Sequence, residues 1–276
     1  MTDKPGYVKL LMSQSDKRHE TNQLIKASVN EDDLLSPEKL ANKFIGELQQ
    51  CLKQCQQDAC YDATWESEQL RHINDRIKLR RHGPAVQMDV MDRPATATNR
   101  TKIYSVDMVP TIAISSGYLE DDYYVAKPMK ETWNFQIAWR RSFSVKEKER
   151  LATLDGDNGC RKQVLRVLKV IRNREPALAL LTSYHLKTVL FRKIDELPNS
   201  AQWKSECLGQ RLMDVIGQLE KELDKGDMPH YFLRGVNLLD GMNKAAVNMR
   251  DRLKRLKNSE QEMMRLLQSS GPDYGT

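Results

Sequence analysis

Long hydrophobic runs are missing from this sequence. No stretch approaches the roughly 20 consecutive apolar residues that a membrane-spanning helix requires. Residues 1–20 also lack the hydrophobic segment of a secretory signal peptide. We therefore expect a protein of the cytoplasm, or of the nucleus, with no membrane partner. Hydrophobic residues still make up 39% of the 276-residue chain, which is enough for a folded core.

Cysteine is scarce, with five residues in the whole chain. An odd number of cysteines without a secretory signal indicates reduced thiols. Cys51, Cys55 and Cys60 are close in sequence, and the first two fall on one face of a predicted helix. Structural zinc sites usually combine a closer Cys-x-x-Cys pair with a second pair of ligands. The three residues are thus either an unusual metal site or small apolar helix residues.

Acidic residues are too few to balance the basic ones, and the net charge is +6. Residues 140–175 contain 11 Lys and Arg against 5 Asp and Glu, so this segment alone carries the whole excess. Such a concentration of positive charge is typical of proteins that bind phosphate, nucleotides or nucleic acid. The alternative is an ordinary solvated helix face.

The hydrophobic pattern changes near residue 130. Strand-like segments occupy residues 6–12, 82–92 and 104–114, and the short loop between the last two predicts an antiparallel pair. A helix is predicted to begin after Ser36, with apolar residues at every fourth position from residue 40 to residue 55.

Helical patterns dominate the rest of the chain, and Gly226 is a predicted helix C-cap. We predict an α+β protein with a mixed-sheet unit at residues 1–130 and an all-helical unit at residues 131–270.

An aspartate interrupts the most apolar of the predicted strands. In YSVDMVPTIAI, residues 104–114, the alternation of a single strand places Asp107 on the same face as Val109. A carboxylate among apolar neighbours is costly unless water, a metal ion or an arginine compensates it.

Seven segments in a fixed order are similar to one family. They are GYVKL, HGPAVQM, YSVDMVP, WRRSF, CRKQVLRVLK, LTSYHLKTVLF and HYFLRGVNLL, and they span roughly residues 6–240. SYHLKT following CRK, with WRRSF before both, is the most specific part of the pattern. The chain resembles the cyclic GMP-AMP synthase-like group within the Mab (male-abnormal) superfamily.

This resemblance implies a nucleotidyltransferase fold followed by a helical lobe. It also implies an enzyme that joins ATP and GTP into a cyclic dinucleotide, a second messenger of innate-immune type. The family reaction uses two divalent cations, Mg²⁺ or Mn²⁺, held by three carboxylates. Asp107, in the SVD motif, resembles the third carboxylate, which implies roles as a metal ligand and in activating the attacking hydroxyl.

The first two family carboxylates follow a Gly-Ser turn that has no counterpart here. Asp155 and Asp157 lie in a turn between helices, Asp121 and Asp122 in a loop, and residues 31–33 before a helix. We therefore expect an N-terminally truncated member that does not catalyse by itself.

The resemblance also implies nucleotide contacts on both parts of the chain. Arg140 resembles an arginine that faces the nucleotide, and Lys169 a lysine that meets the triphosphate. Ser183 resembles a serine that binds phosphate, and Tyr184 a tyrosine that stacks on a base. Core packing is the alternative for Tyr184, and solvation is the alternative for Lys169. His185 is assigned no role.

Zinc is not expected. The vertebrate DNA sensor of the group carries a zinc-binding insertion before its CRK segment, whereas LATLDGDNGCRK leaves no room for one and retains only Cys160. Double-stranded RNA is a possible activating partner, because the basic run at residues 71–82 suits a phosphate backbone. Two other readings stay open: a non-catalytic scaffold of the same family that retains the nucleotide cleft, and a bare nucleic-acid-binding module.

Overall fold

The computed structural model describes residues 5–12, 23–58, 73–82, 85–93, 97–114, 122–126 and 137–268. The chain forms two compact units, residues 1–143 and 144–276. The sequence-based boundary after residue 130 precedes the strand Ala138–Ser142, which pairs with two strands of the first unit. That strand belongs to the first unit because its hydrogen bonds complete a sheet there.

The described residues of the first unit form seven strands and three helices. The strands are β1 (Tyr7–Lys9), β2 (Ile77–His82), β3 (Ala85–Met91), β4 (Lys102–Met108), β5 (Thr111–Ile114), β6 (Asp122–Val125) and β7 (Ala138–Ser142). The helices are α1 (Gln23–Lys26), α2 (Pro37–Asp58) and α3 (Ile73–Arg76). One sheet has the order β1-β7-β6-β5 and the other the order β2-β3-β4, with antiparallel pairing throughout.

A small core holds the four-stranded sheet against the start of α2. Trp139 of β7 is fully buried, and its Nε1 donates a hydrogen bond to the carbonyl of Leu35 at 2.8 Å. Leu40 of α2 is buried in the same cluster. The predicted burial of one helix face is therefore correct at the start of α2. Burial decreases along the helix, and Cys55 near its end is exposed.

The predicted strand over residues 104–114 is two strands in different sheets. β4 pairs with β3, whereas β5 pairs with β6. Val109 and Pro110 separate β4 from β5. Pro110 has no N–H to donate to a ladder, which favours an interruption at this point. The predicted antiparallel pairing of residues 82–92 with the start of this segment is confirmed by the β3–β4 ladder.

Helices dominate the described residues of the second unit. Its helices are α4 (Ser144–Ala152), α5 (Arg161–Arg174), α6 (Ser183–Glu196), α7 (Leu208–Lys225), α8 (Asn243–Asn258) and α9 (Glu260–Gln268). Three short 3₁₀ turns lie at Pro176–Leu178, Ser200–Trp203 and Ser205–Cys207.

Apolar side chains at helical spacing form the core of this unit. On α5, Val164, Leu165, Leu168 and Ile171 are buried, as their spacing predicts. Helix α7 ends at Gly226, whose φ of 63° is the left-handed conformation that favours glycine at a C-cap. No helix in the described part of the chain is long and apolar enough to cross a lipid bilayer.

Candidate functional site

Asp107 lies on β4 near the edge of the three-stranded sheet. Its side chain is exposed, as are the first six residues of β4. Gln87 lies opposite Asp107, and Asp89 lies opposite Ser105, so these four side chains share one face of the β3–β4 pair. Water therefore solvates the Asp107 carboxylate, which removes the energetic puzzle posed by the sequence.

The buried carboxylate of this sheet is Asp89, which sequence reasoning missed. Asp89 is only 2% exposed. It accepts hydrogen bonds from the Ser105 hydroxyl and the Arg80 guanidinium, and Lys102 Nζ lies 3.9 Å from Oδ1. The hydrogen bond from Ser105 and the two cations lower the pKa of Asp89 despite its burial. An acid between two apolar residues of a strand, in QMDVM, was the available signal.

The described residues do not by themselves complete a two-cation centre. No group of three or more His, Cys, Asp or Glu within them has the spacing to hold a metal ion. Asp89 is the acidic neighbour of Asp107 on the same face, but its oxygens are engaged by Ser105 and Arg80. Cys51 and Cys55 are exposed free thiols, and Cys60 lies outside the described residues.

Arg140 lies on β7 of the four-stranded sheet. It is half-buried and pairs in register with Tyr7 on one side and Val125 on the other. Its Nε is shielded from solvent and has no hydrogen-bond acceptor among the described residues. The guanidinium therefore retains capacity for an anionic ligand.

Lys169 lies on α5 of the helical unit, where positive charges are concentrated. It is half-buried, and no carboxylate of the described residues lies within ion-pair distance of it. Burial lowers the pKa of Lys169, and the nearby charges of Lys187, Arg172 and Arg166 lower it further. An amine surrounded by other cations favours an anionic ligand, which would relieve the repulsion.

Ser183 is the first residue of α6, where the helix dipole favours anions, although a capping box already engages the backbone N–H groups of Thr182 and His185. Lys187 follows Ser183 by four residues and so lies on the same helix face. Arg172 donates to the carbonyl of Leu181 at 3.1 Å, which ties α5 to the segment before α6. The structure thereby places Ser183 close to the basic residues around Lys169.

Tyr184 is the second residue of α6 and is half-buried. Burial raises the pKa of its phenol well above the ordinary value of 10.0, so the hydroxyl keeps its proton. The hydroxyl lies 3.0 Å from His230 Nδ1, and the two rings have centroids 4.7 Å apart. The hydroxyl end of Tyr184 is thus held by a hydrogen bond. This arrangement is compatible with base stacking and also with partial packing in the core.

His185 has both ring nitrogens engaged within the helical unit. It is buried, and its Nδ1 accepts a hydrogen bond from the Thr182 backbone N–H at 2.9 Å. Its Nε2 lies 3.1 Å from the Leu238 carbonyl. Burial lowers its pKa, which keeps the ring neutral at the start of α6.

Asp155 and Asp157, in the turn before α5, both contact Arg161. Asp155 accepts from the backbone N–H of Arg161 at 3.0 Å and of Lys162 at 2.7 Å, which caps α5. The Arg161 guanidinium contacts Asp155 and Asp157 and lies over the Trp203 ring at 5.4 Å. These carboxylates are therefore engaged in fixing the turn.

Comparison with known proteins identifies the family. Residues 1–153 match the Mab-21 protein nucleotidyltransferase domain, and residues 160–256 match the Mab-21 protein HhH/H2TH-like domain. The chain belongs to the Mab-21 family. Its fold is accordingly a nucleotidyltransferase domain followed by a helical C-terminal domain, as the sequence predicted.

A curated relative of this Mab-21 family chain is cyclic GMP-AMP synthase-like receptor 3 of Stylophora pistillata. The two are 34% identical over 206 residues, an alignment that covers 71% of this chain and 57% of the relative. The match thus extends over little more than half of that protein's length. Lys169, Ser183 and Tyr184 belong to the C-terminal domain, whereas Asp107 and Arg140 belong to the nucleotidyltransferase domain.

Proposed function

We propose that this chain is the nucleotide-binding part of a cyclic GMP-AMP synthase-like nucleotidyltransferase, which joins ATP and GTP into a cyclic dinucleotide for innate-immune signalling. The observation that carries the proposal is the group of cations around Lys169 in the helical unit. Lys169 is half-buried, lacks an acidic partner among the described residues and lies near Arg166, Arg172 and Lys187, the last of which pairs with Glu147. Family membership supplies the chemical class of the anion, a nucleoside triphosphate.

Each proposed contact follows from the chemistry of its side chain. Lys169 binds the triphosphate by charge, and Ser183 donates to a phosphate oxygen at the start of α6. Tyr184 stacks on a nucleobase, a contact that depends little on base identity. Arg140, in the nucleotidyltransferase domain, has a guanidinium fork that suits a phosphate or a base edge.

Mg²⁺ or Mn²⁺ binding at Asp107 remains a prediction from the family. A carboxylate oxygen is a suitable ligand for either ion, and the cation would neutralise charge on the triphosphate. Since the described residues do not complete such a site, nucleotide binding by the helical unit is proposed without it. The exposed carboxylate of Asp107 is free to take the family role when further ligands are present.

Removing the Lys169 charge tests the proposal. Lys169→Ala should weaken ATP binding by about tenfold to a hundredfold, because a charge-assisted contact contributes about 1.5–3 kcal/mol. The matched control is Lys254→Ala, which removes the same charge from α8 at a groove that also contains Asp251 and Glu262. Isothermal titration calorimetry of both variants gives the affinities. Equal affinities for the two variants would contradict the proposed site.

A non-catalytic scaffold with the same nucleotide cleft is the second candidate. It is favoured by the engagement of Asp89, which leaves Asp107 without an available acidic neighbour on its sheet face among the described residues. Incubation with labelled ATP and GTP in Mg²⁺ or Mn²⁺, with and without double-stranded RNA, separates the candidates. A cyclic product indicates the synthase, whereas ATP binding without product under every condition indicates the scaffold.

We propose double-stranded RNA as an activating partner because strand β2 is rich in basic residues. Lys78, Arg80 and Arg81 are exposed on it, although Arg80 also contacts Asp89. Contacts to a phosphate backbone would make RNA binding strongly salt-dependent. RNA binding without any affinity for ATP would instead favour a bare nucleic-acid-binding module.

A further inference from the structure

His230 follows α7 in a tight turn that fixes its imidazole ring. Its Nδ1 accepts hydrogen bonds from the backbone N–H of Phe232 at 3.2 Å and of Leu233 at 3.1 Å. Its own backbone N–H donates to the Val236 carbonyl at 2.7 Å. Backbone donors aimed at Nδ1 require a lone pair there, so the ring proton of the neutral form is on Nε2.

The same nitrogen faces Tyr184. The Tyr184 hydroxyl lies 3.0 Å from His230 Nδ1, and the two rings are tilted by 42°. Because burial keeps the phenol protonated, the hydroxyl is the donor and Nδ1 is the acceptor. The backbone of the turn therefore fixes the imidazole ring of His230. The imidazole in turn fixes the Tyr184 phenol through a hydrogen bond.

Charged groups surround this pair on the neighbouring helices. The negative charge of Glu147 on α4 helps to raise the pKa of Tyr184, and Glu147 also pairs with Lys187 of α6 at 2.7 Å. Arg192 of α6 contacts the Pro229 carbonyl and pairs with Glu222 of α7 at 2.8 Å. Arg150 and Asp195 also lie near the turn, and both contact Tyr231. All of these carboxylates have a cationic partner within the helical unit.

We propose that His230 is a positioning residue, which orients the Tyr184 ring for stacking on a nucleobase through the acceptor at its Nδ1. Without this acceptor the phenol would lose an anchor, and nucleotide affinity would fall. The inference rests on the proposed function, since it concerns the ring assigned to base stacking.

The test compares ATP affinity of His230→Ala, His230→Asn and the unsubstituted chain. At about pH 8, His230→Ala should bind ATP about threefold to tenfold more weakly, the loss expected for one hydrogen bond. Asn retains an oxygen that accepts from the same backbone N–H groups, so His230→Asn should stay within about twofold of the unsubstituted chain.

The Tyr184→Phe background separates positioning from a purely structural role. If His230 acts through the phenol, His230→Ala should weaken ATP binding no further once Tyr184→Phe has removed the hydroxyl. Losses that simply add, or a folded His230→Ala with unchanged affinity at about pH 8, would overturn the proposal.

A second measurement tests the proposal even if His230→Ala does not fold. Nitrogen NMR of the ring should show Nδ1 as an acceptor in the unsubstituted chain, with a changed Nδ1 signal in Tyr184→Phe. An unchanged signal would overturn the inference. ATP binding that is weakened by Tyr184→Ala but not by His230→Ala would defeat this inference alone. No ATP binding by the unsubstituted chain would defeat the proposed function and, with it, the role of His230.

Discussion

Two aspartates on one face of a sheet have opposite environments. Asp107 is exposed, whereas Asp89 is buried beneath Ser105 and Arg80. The sequence presents both as acids within apolar strands, and strand alternation cannot distinguish an exposed edge strand from a central one. Asp89 lies on β3, in the middle of the three-stranded sheet, and Asp107 on its edge. Burial thus depends on strand order, which a single sequence does not encode locally.

Removal of these two carboxylates should affect stability very differently. Asp89→Ala should lower the free energy of unfolding by about 1–3 kcal/mol, because it removes the buried, charged acceptor to which Ser105 and Arg80 donate. Asp107→Ala is the matched control on the same face and should change it by less than about 0.5 kcal/mol. Urea denaturation measures both, and equal effects would contradict the burial of Asp89.

The pH dependence gives an independent check on Asp89. Its pKa in the folded protein lies below the ordinary value of 3.8, so its contribution is complete above pH 3.8. The contribution is lost as the pH falls through the lowered pKa. The difference in stability between the unsubstituted chain and Asp89→Ala should therefore shrink only below pH 3.8.

At the scale of elements, sequence patterns predicted the helical unit better than the sheets. On α5 the spacing of apolar residues determines which face is buried, because several helices pack around it. Along α2 the same spacing overestimates burial, since only its first turns meet the small sheet core. The segment of residues 104–114 shows the converse error. Its continuous apolar character concealed a change of sheet at Pro110, where the missing N–H interrupts the ladder.

The residues of the candidate site were predictable from the sequence only in part. Lys169, Ser183 and Tyr184 were found because short motifs around them resemble those of the family. His230 was not, although it lies within the motif HYFLRGVNLL, because its link to Tyr184 spans 46 positions and exists only in the fold. The cations that surround Lys169 come from two helices, so their convergence also required the structure.

At the scale of the whole molecule, the excess positive charge and the proposed nucleotide site lie in the same part of the chain. The excess of basic residues in the segment 140–175 includes Lys169, Arg166 and Arg172 on α5, while Lys187 joins them from α6. A charge run of this kind, seen in the sequence alone, fits an ordinary solvated face. The half-buried Lys169 and the neighbouring charges of Arg166, Arg172 and Lys187 favour a phosphate site instead.

The most direct test of a nucleotide site on the helical unit is photolabelling of the intact chain with 8-azido-ATP, followed by mapping of the label by mass spectrometry. The reactive group sits on the base, so label should fall at or beside Tyr184, and excess ATP should suppress it. Tyr184→Ala should lose that label. Competable label confined to residues away from the start of α6 and the turn at His230 would contradict the account.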